Sequence, residues 1–170
     1  LLQYADQNDK KLNSLQRTII GGAAVPESMI RDFHSKHDVF VQQAWGMTEM
    51  SPLGTVISLK YGMENISHED LVELQVKQGR GMFGVEMRIV NDEQEILPWD
   101  GEAFGALQVK GPWVCSDYYK LDGAAGSHTD DGWFDTGDVA KIDPLGYMQL
   151  TDRTKDVIKS GGEWIRSIEI

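Results

Sequence analysis

Leu15-Gln16-Arg17-Thr18-Ile19-Ile20-Gly21-Gly22-Ala23-Ala24-Val25-Pro26 is the stretch that decides the fold. A short apolar run ends in two glycines, and a proline follows. Residues 15–20 are predicted as a strand. Pro26 opens a helix over residues 26–37, because a first helical turn does not need the N–H that proline lacks. Met29, Ile30 and Phe33 recur at helical spacing as its buried stripe. Residues 39–45 form the next strand. Strand, glycine turn, helix and strand make one β-α-β unit, which implies parallel pairing.

Working outward, residues 1–12 read as the end of a helix, with Asn13 and Ser14 as breakers. Beyond Gly54 the pattern changes. Ser67 caps a short helix whose Leu71 and Leu74 face inward. From Gly79 onward the chain reads as short strands and tight turns, at residues 85–90, 95–97, 106–109, 139–142 and 147–150. Pro144-Leu145-Gly146 forms a hairpin turn between the last two. The expected class is therefore mixed α/β: a β-α-β portion of a parallel sheet, then a barrel-like antiparallel portion.

Composition narrows the function. Hydrophobic residues at 41% and charged residues at 25% describe a globular chain. A formal charge of −11 over 170 residues disfavours nonspecific binding to nucleic acid. No apolar run reaches the ~18 residues that a membrane-spanning helix needs, so no transmembrane segment is expected. Cys115 is the single cysteine, which excludes a disulfide framework and a cysteine-based zinc site. A cytoplasmic location is expected, with peripheral membrane association left open. The chain begins Leu1-Leu2-Gln3-Tyr4 and ends in what reads as a helix just starting, so an internal piece of a longer protein is expected.

Four stretches carry candidate chemistry. Gly21-Gly22-Ala23-Ala24 lets a flat ligand approach the backbone, since glycine has no Cβ; the plainer reading is an ordinary turn. Gln43-Ala44-Trp45-Gly46-Met47-Thr48-Glu49-Met50-Ser51-Pro52 follows the second strand, where open α/β sheets bind ligands. There Trp45 can stack on a purine, Thr48 can donate to a phosphate oxygen and Glu49 can hold Mg²⁺. Alternatively Trp45 is core and Glu49 a solvated loop residue. In Gly132-Trp133-Phe134-Asp135-Thr136-Gly137-Asp138, Asp138 can accept two hydrogen bonds from a vicinal diol, such as that of a ribose; a turn rich in Asp and Gly explains it equally. In Asp152-Arg153-Thr154-Lys155-Asp156-Val157-Ile158-Lys159-Ser160-Gly161-Gly162-Glu163-Trp164, the Arg153 fork suits ribose or phosphate oxygens, and Lys155 lies where a chain can pivot. The competing reading is a solvated charge run. His34 and His37, at i and i+3, read as a solvated face rather than a metal pair. Cys115 reads as packing.

Together and in this order, these motifs resemble the adenylate-forming superfamily of acyl-CoA synthetases, firefly luciferase and peptide-synthetase adenylation domains. Trp-Gly-Met-Thr-Glu-Met-Ser-Pro with Asp-Arg-Thr-Lys-Asp-Val-Ile-Lys-Ser-Gly-Gly-Glu-Trp-Ile is similar to the medium- and long-chain fatty acyl-CoA ligase branch. The resemblance implies that Gly22, Ala23 and Ala24 run along the adenine. It implies that Gln43, Ala44 and Trp45 line the purine and acyl side, Thr48 meets phosphate, and Glu49 holds the Mg²⁺ site. Asp138 and Arg153 would hold the ribose, Lys155 would be a hinge, and Gly161 and Gly162 would lie near the pantetheine of coenzyme A. Residues 1–152 would then be the C-terminal part of the large AMP-binding domain (1–54 the β-α-β portion, 55–152 the β-rich portion). Residues 153–170 would be the hinge and the start of a small domain.

The implied reaction joins ATP and a fatty or related carboxylic acid as acyl-AMP, then passes the acyl group to coenzyme A. Two alternatives stay open: a carrier-protein thiol as acceptor, and a non-catalytic nucleotide-binding module. This chain departs from the family where Trp45 stands for Tyr, Met82 for Pro, Ala106 for Glu and Arg166 for Ser.

Overall fold

The computed structural model describes residues 1–120, 127–153, 158–160 and 163–165, of which those from Asp152 onward are described by backbone alone. Helix α1 spans Leu2–Gln7, strand β1 Arg17–Gly21, helix α2 Glu27–His37 and strand β2 Phe40–Gly46. β1 and β2 pair in parallel, with Gly21 opposite Ala44. Pro26 is the N-cap of α2, one residue before the helix proper, and Asp38 closes it in a left-handed conformation. Ile30 and Phe33 are buried as expected, packed with Val25, Val39, Val41 and Val72.

The chain does not leave this sheet after β2. A single 3₁₀ turn at Thr48–Met50 reverses it into β3, Leu53–Val56, which pairs antiparallel with β2. Helix α3, His68–Gln75, follows, with the Ser67 hydroxyl accepting from the Asp70 N–H at 3.1 Å. Its buried stripe is Val72, Leu74 and Gln75, while Leu71 is only half-buried. The short β4, Arg80–Gly81, completes a four-stranded sheet in the order β1-β2-β3-β4.

β5 (Glu86–Val90), β6 (Phe104–Lys110), β7 (Phe134–Ile142) and β8 (Met148–Arg153) form a curled antiparallel sheet in sequence order. The expected strand at 95–97 is reduced to one bridge between Val90 and Ile96. The hairpin turn holds through Asp143, whose carbonyl accepts from the Gly146 N–H and whose carboxylate accepts from the N–H groups of Leu145 and Tyr147. β9 (Ile158–Ser160) and β10 (Glu163–Ile165) pair antiparallel. Among the described residues no helix is long and apolar enough to cross a membrane.

Two kinds of contact join the sheets. Trp45 and Met50 leave the first sheet and enter the core of the second, against Met87, Ile89, Leu107, Val109, Phe134 and Met148. Beside them, buried Gln78 and its neighbour Gly79 tie the first sheet's last connection to β8. Gln78 accepts from the Leu150 N–H of β8 at 2.7 Å, and the Gly79 carbonyl accepts from the Met148 N–H at 2.8 Å. The Gln78 side-chain oxygen and the Gly79 carbonyl are each stable inside because each meets a partner.

Candidate nucleotide site at the junction of the two sheets

The turn after β1 and the turn after β2 emerge side by side, because the parallel pair sets both strand ends on one edge. Gly22 has a φ of +87°, which L side chains rarely adopt, and a Cβ there would meet nothing within 4 Å. Ala23 and Ala24 are exposed beside it. The loop is thus open to an approaching ligand.

Strand alternation divides the next three candidates. Ala44, half-buried, lies on the face of β2 opposite to Gln43 and Trp45. Gln43 is 2% exposed, and its amide is spent internally: Oε1 accepts from the Val25 N–H at 3.1 Å, and Nε2 donates to the Gln75 carbonyl at 2.9 Å. Gln43 therefore fastens the 21–26 loop to α3 through its side-chain amide. Trp45 is 8% exposed and its Nε1 donates to Oδ2 of Asp138 at 3.0 Å. It is core, and it also holds the Asp138 carboxylate.

Asp138 sits in β7 beside the strand's irregularity between Val139 and Ala140, opposite Arg153 of β8 in Cα register. Thr136 positions it: the Thr136 hydroxyl accepts from the Asp138 N–H at 3.1 Å and donates to the Leu107 carbonyl at 2.8 Å. Gly137 between them has a φ of +72° and allows the kink. Bulged strands next to sites re-aim a side chain in this way.

Thr48 is exposed and Glu49 half-buried, both on the 3₁₀ turn. Glu49 is held by a residue that sequence reasoning missed. The Tyr118 hydroxyl donates to Glu49 Oε1 at 2.8 Å, and the Cys115 N–H donates to the Glu49 carbonyl at 2.7 Å. The hydrogen bond to Glu49 pushes the Tyr118 phenol up to about 12. Burial, with Glu49 and Asp117 nearby, raises the Cys115 thiol above its ordinary value, so it is a poor nucleophile. Tyr118 carried no sequence signal, since its role arises only when β6 brings the following segment across the 48–53 turn.

Among the described residues no group of three or more His, Cys, Asp or Glu could hold a metal ion. A cation at Glu49 would therefore complete its shell with ligand oxygens and water. That donor set suits Mg²⁺, which is commonly held by one or two carboxylates plus phosphates. Lys155, Gly161 and Gly162 lie outside the described residues. The histidines expected on a solvated face are partly enclosed. His34 and His68 rings meet edge to face at 5.0 Å, and His34 Nε2 and both ring nitrogens of His37 are buried without a partner among the described residues. An open cleft of about 490 Å³ lies elsewhere, between Arg80, Trp99, Trp133 and Leu145; Trp133 comes from the third stretch, but none of the candidate site residues lines it.

Known proteins resemble this chain in sequence and fold. The chain is 49% identical over 170 residues to a 3-methylmercaptopropionyl-CoA ligase of Ruegeria lacuscaerulensis and 48% identical over 170 residues to a medium-chain-fatty-acid–CoA ligase of Ectopseudomonas oleovorans. Each alignment covers 100% of this chain, and the chain spans 31% of the length of each relative. The solved structure of O-succinylbenzoate coenzyme A synthetase from Bacillus subtilis with ATP and magnesium superimposes with a TM-score of 0.72 at 28% identity, over 92% of this chain and 30% of that one. The profile of the AMP-binding enzymes matches residues 1–119. Since that match takes in well over half of the sequence, the chain belongs to the AMP-binding enzyme family.

Proposed function

We propose that this chain forms the nucleotide-binding part of an ATP-dependent acyl-CoA synthetase acting on a medium- or long-chain fatty acid. The observation that carries it is the hydrogen bond by which Trp45 of one sheet holds Asp138 of the other. Relatives at 48% and 40% identity are medium- and long-chain fatty-acid–CoA ligases. The relative at 49%, a 3-methylmercaptopropionyl-CoA ligase, favours a short thioether acid as the second candidate substrate.

In the first step a carboxylate oxygen of the acid attacks the α-phosphorus of ATP. The bond from that phosphorus to the bridging oxygen breaks, and pyrophosphate leaves. In the second step the sulfur of coenzyme A, its proton lost to solvent or base, attacks the acyl carbonyl carbon, and AMP leaves with the former carboxylate oxygen. The incoming acid is already ionised near pH 7, so no general base is needed for the first step.

The chain's residues supply binding and orientation. Asp138, aimed by Trp45 and Thr136, takes the ribose hydroxyls with Arg153 beside it. Gly22, Ala23 and Ala24 run along the adenine, and Thr48 donates to a phosphate oxygen. Glu49 is the carboxylate that holds Mg²⁺, which supplies neutralisation of the phosphate charge. Lys155 serves as the hinge between half-reactions, and Gly161 and Gly162 border the pantetheine of coenzyme A. Residues 1–152 belong to the large domain and 153–170 begin a small one.

The deciding experiment is Asp138→Ala in the complete enzyme, with calorimetric titration of AMP. AMP affinity is expected to fall by about tenfold or more, as for a lost hydrogen bond to a charged group. Unchanged affinity removes the ribose assignment. Pyrophosphate release with and without coenzyme A then separates thioester formation from transfer to another acceptor.

A further inference from the structure

Glu49 is braced from one direction by a single segment. Across Trp113–Tyr118 four hydrogen bonds reach the turn that carries it. The Tyr118 hydroxyl donates to Glu49 Oε1 at 2.8 Å and the Cys115 N–H to the Glu49 carbonyl at 2.7 Å. The Ser51 hydroxyl donates to the Trp113 carbonyl at 3.1 Å, and the Trp113 indole N–H donates to the Leu53 carbonyl at 3.1 Å. Behind the segment, His128 Nε2 lies 2.8 Å from the Cys115 carbonyl. The brace thus fixes the backbone of residues 49–53 and one carboxylate oxygen together.

A carboxylate that shares one oxygen with a phenol is held in rotation and has less charge to give from that oxygen. It meets a cation with the other. Mg²⁺ is content with one oxygen per carboxylate in a tight octahedral shell, whereas Ca²⁺ often takes both oxygens in a larger and looser one. We propose that Tyr118 is a positioning residue that holds Glu49 as a one-oxygen ligand and so biases the nucleotide site toward Mg²⁺ over Ca²⁺. The proposal rests on Glu49 being the cation ligand.

The test compares the complete enzyme with its Tyr118→Phe variant, which removes one hydroxyl and keeps the ring. ATP binding is titrated by calorimetry with Mg²⁺, with Ca²⁺ and with chelator, and AMP binding without metal serves as a control. The variant is expected to lower the ratio of Mg·ATP to Ca·ATP affinity by about tenfold, the effect of losing a hydrogen bond to a charged group. Metal-free AMP binding stays within twofold. An unchanged ratio overturns the proposal, as does an equal loss in every condition, which would mark a purely structural role. Glu49→Gln separates this result from the underlying reading: if ATP binding by that variant keeps its dependence on Mg²⁺, Glu49 is not the cation ligand and both fall. If the dependence is lost but Tyr118→Phe leaves the ratio intact, only the role of Tyr118 falls.

Discussion

The indole N–H of Trp45 donates to Oδ2 of Asp138 at 3.0 Å, across 93 positions of sequence and between two sheets. One residue therefore serves both the packing of the second sheet's core and the orientation of the carboxylate proposed to read ribose. Trp45→Phe keeps most of the buried ring and removes the donor. AMP affinity is expected to fall about tenfold, because hydrogen bonds to charged groups contribute about 1.5–3 kcal/mol. Affinity for a 2′,3′-dideoxy analogue should hardly change. Equal losses for both nucleotides in calorimetry would rule out an orienting role.

Gln43→Ala tests the internal role assigned to that glutamine. It strips partners from the Val25 N–H and the Gln75 carbonyl, both buried. Each such group costs about 1–3 kcal/mol when left unpaired. A stability loss of that order or greater is expected in urea unfolding, with the midpoint shifted and the slope kept. A change under about 0.5 kcal/mol would return Gln43 to the exposed pocket wall.

Gly54→Ala probes how tightly Trp45 is seated. A Cβ there would stand 2.5 Å from Trp45 Cζ3 and 2.9 Å from the terminal methyl of Met50. Overpacking of this kind costs about 1–3 kcal/mol. The indole should shift with it, so thermal unfolding at lower temperature and weaker AMP binding are expected together. Loss of stability alone would show that the Trp45–Asp138 bond survives the displacement.

His34 makes the fold sensitive to acid. Burial lowers its pKa first, and the neighbouring His68 lowers it further, while Asp38 opposes both. The remaining charged groups at that contact, Arg31 and Glu69, pair with each other across α2 and α3. With the folded pKa below the ordinary 6.5, the unfolded chain takes up the proton first. Stability is therefore full above that ordinary value and is lost as pH falls through it, until the folded group also titrates. His34→Phe keeps an edge-to-face partner for His68 but does not titrate. Its urea midpoint should fall less than that of the parent between about pH 7 and pH 5. Parallel pH profiles would show that other groups set the acid limit.

Much of this molecule is legible in its local chemistry. Gly22 before a proline-capped helix, Ser67 before α3, and Asp143 to Gly146 between β7 and β8 each declare their element through a backbone requirement carried by a few neighbouring residues. Strands β3 and β4 do not. They are four and two residues long, too short for alternation to show, and form because distant backbone is already in place to pair with them. The bridge at Ile96 errs in the opposite direction: a suitable sequence found only one partner.

Local residue patterns are enough for the β-α-β unit, the antiparallel half and the order of the candidate motifs, since periodicity and turn residues act over a few positions. That Gln43 points inward, that Trp45 aims Asp138 and that Tyr118 holds Glu49 emerges only from the folded chain. Those are directions in space between residues up to 93 positions apart, and they follow from how the two sheets meet.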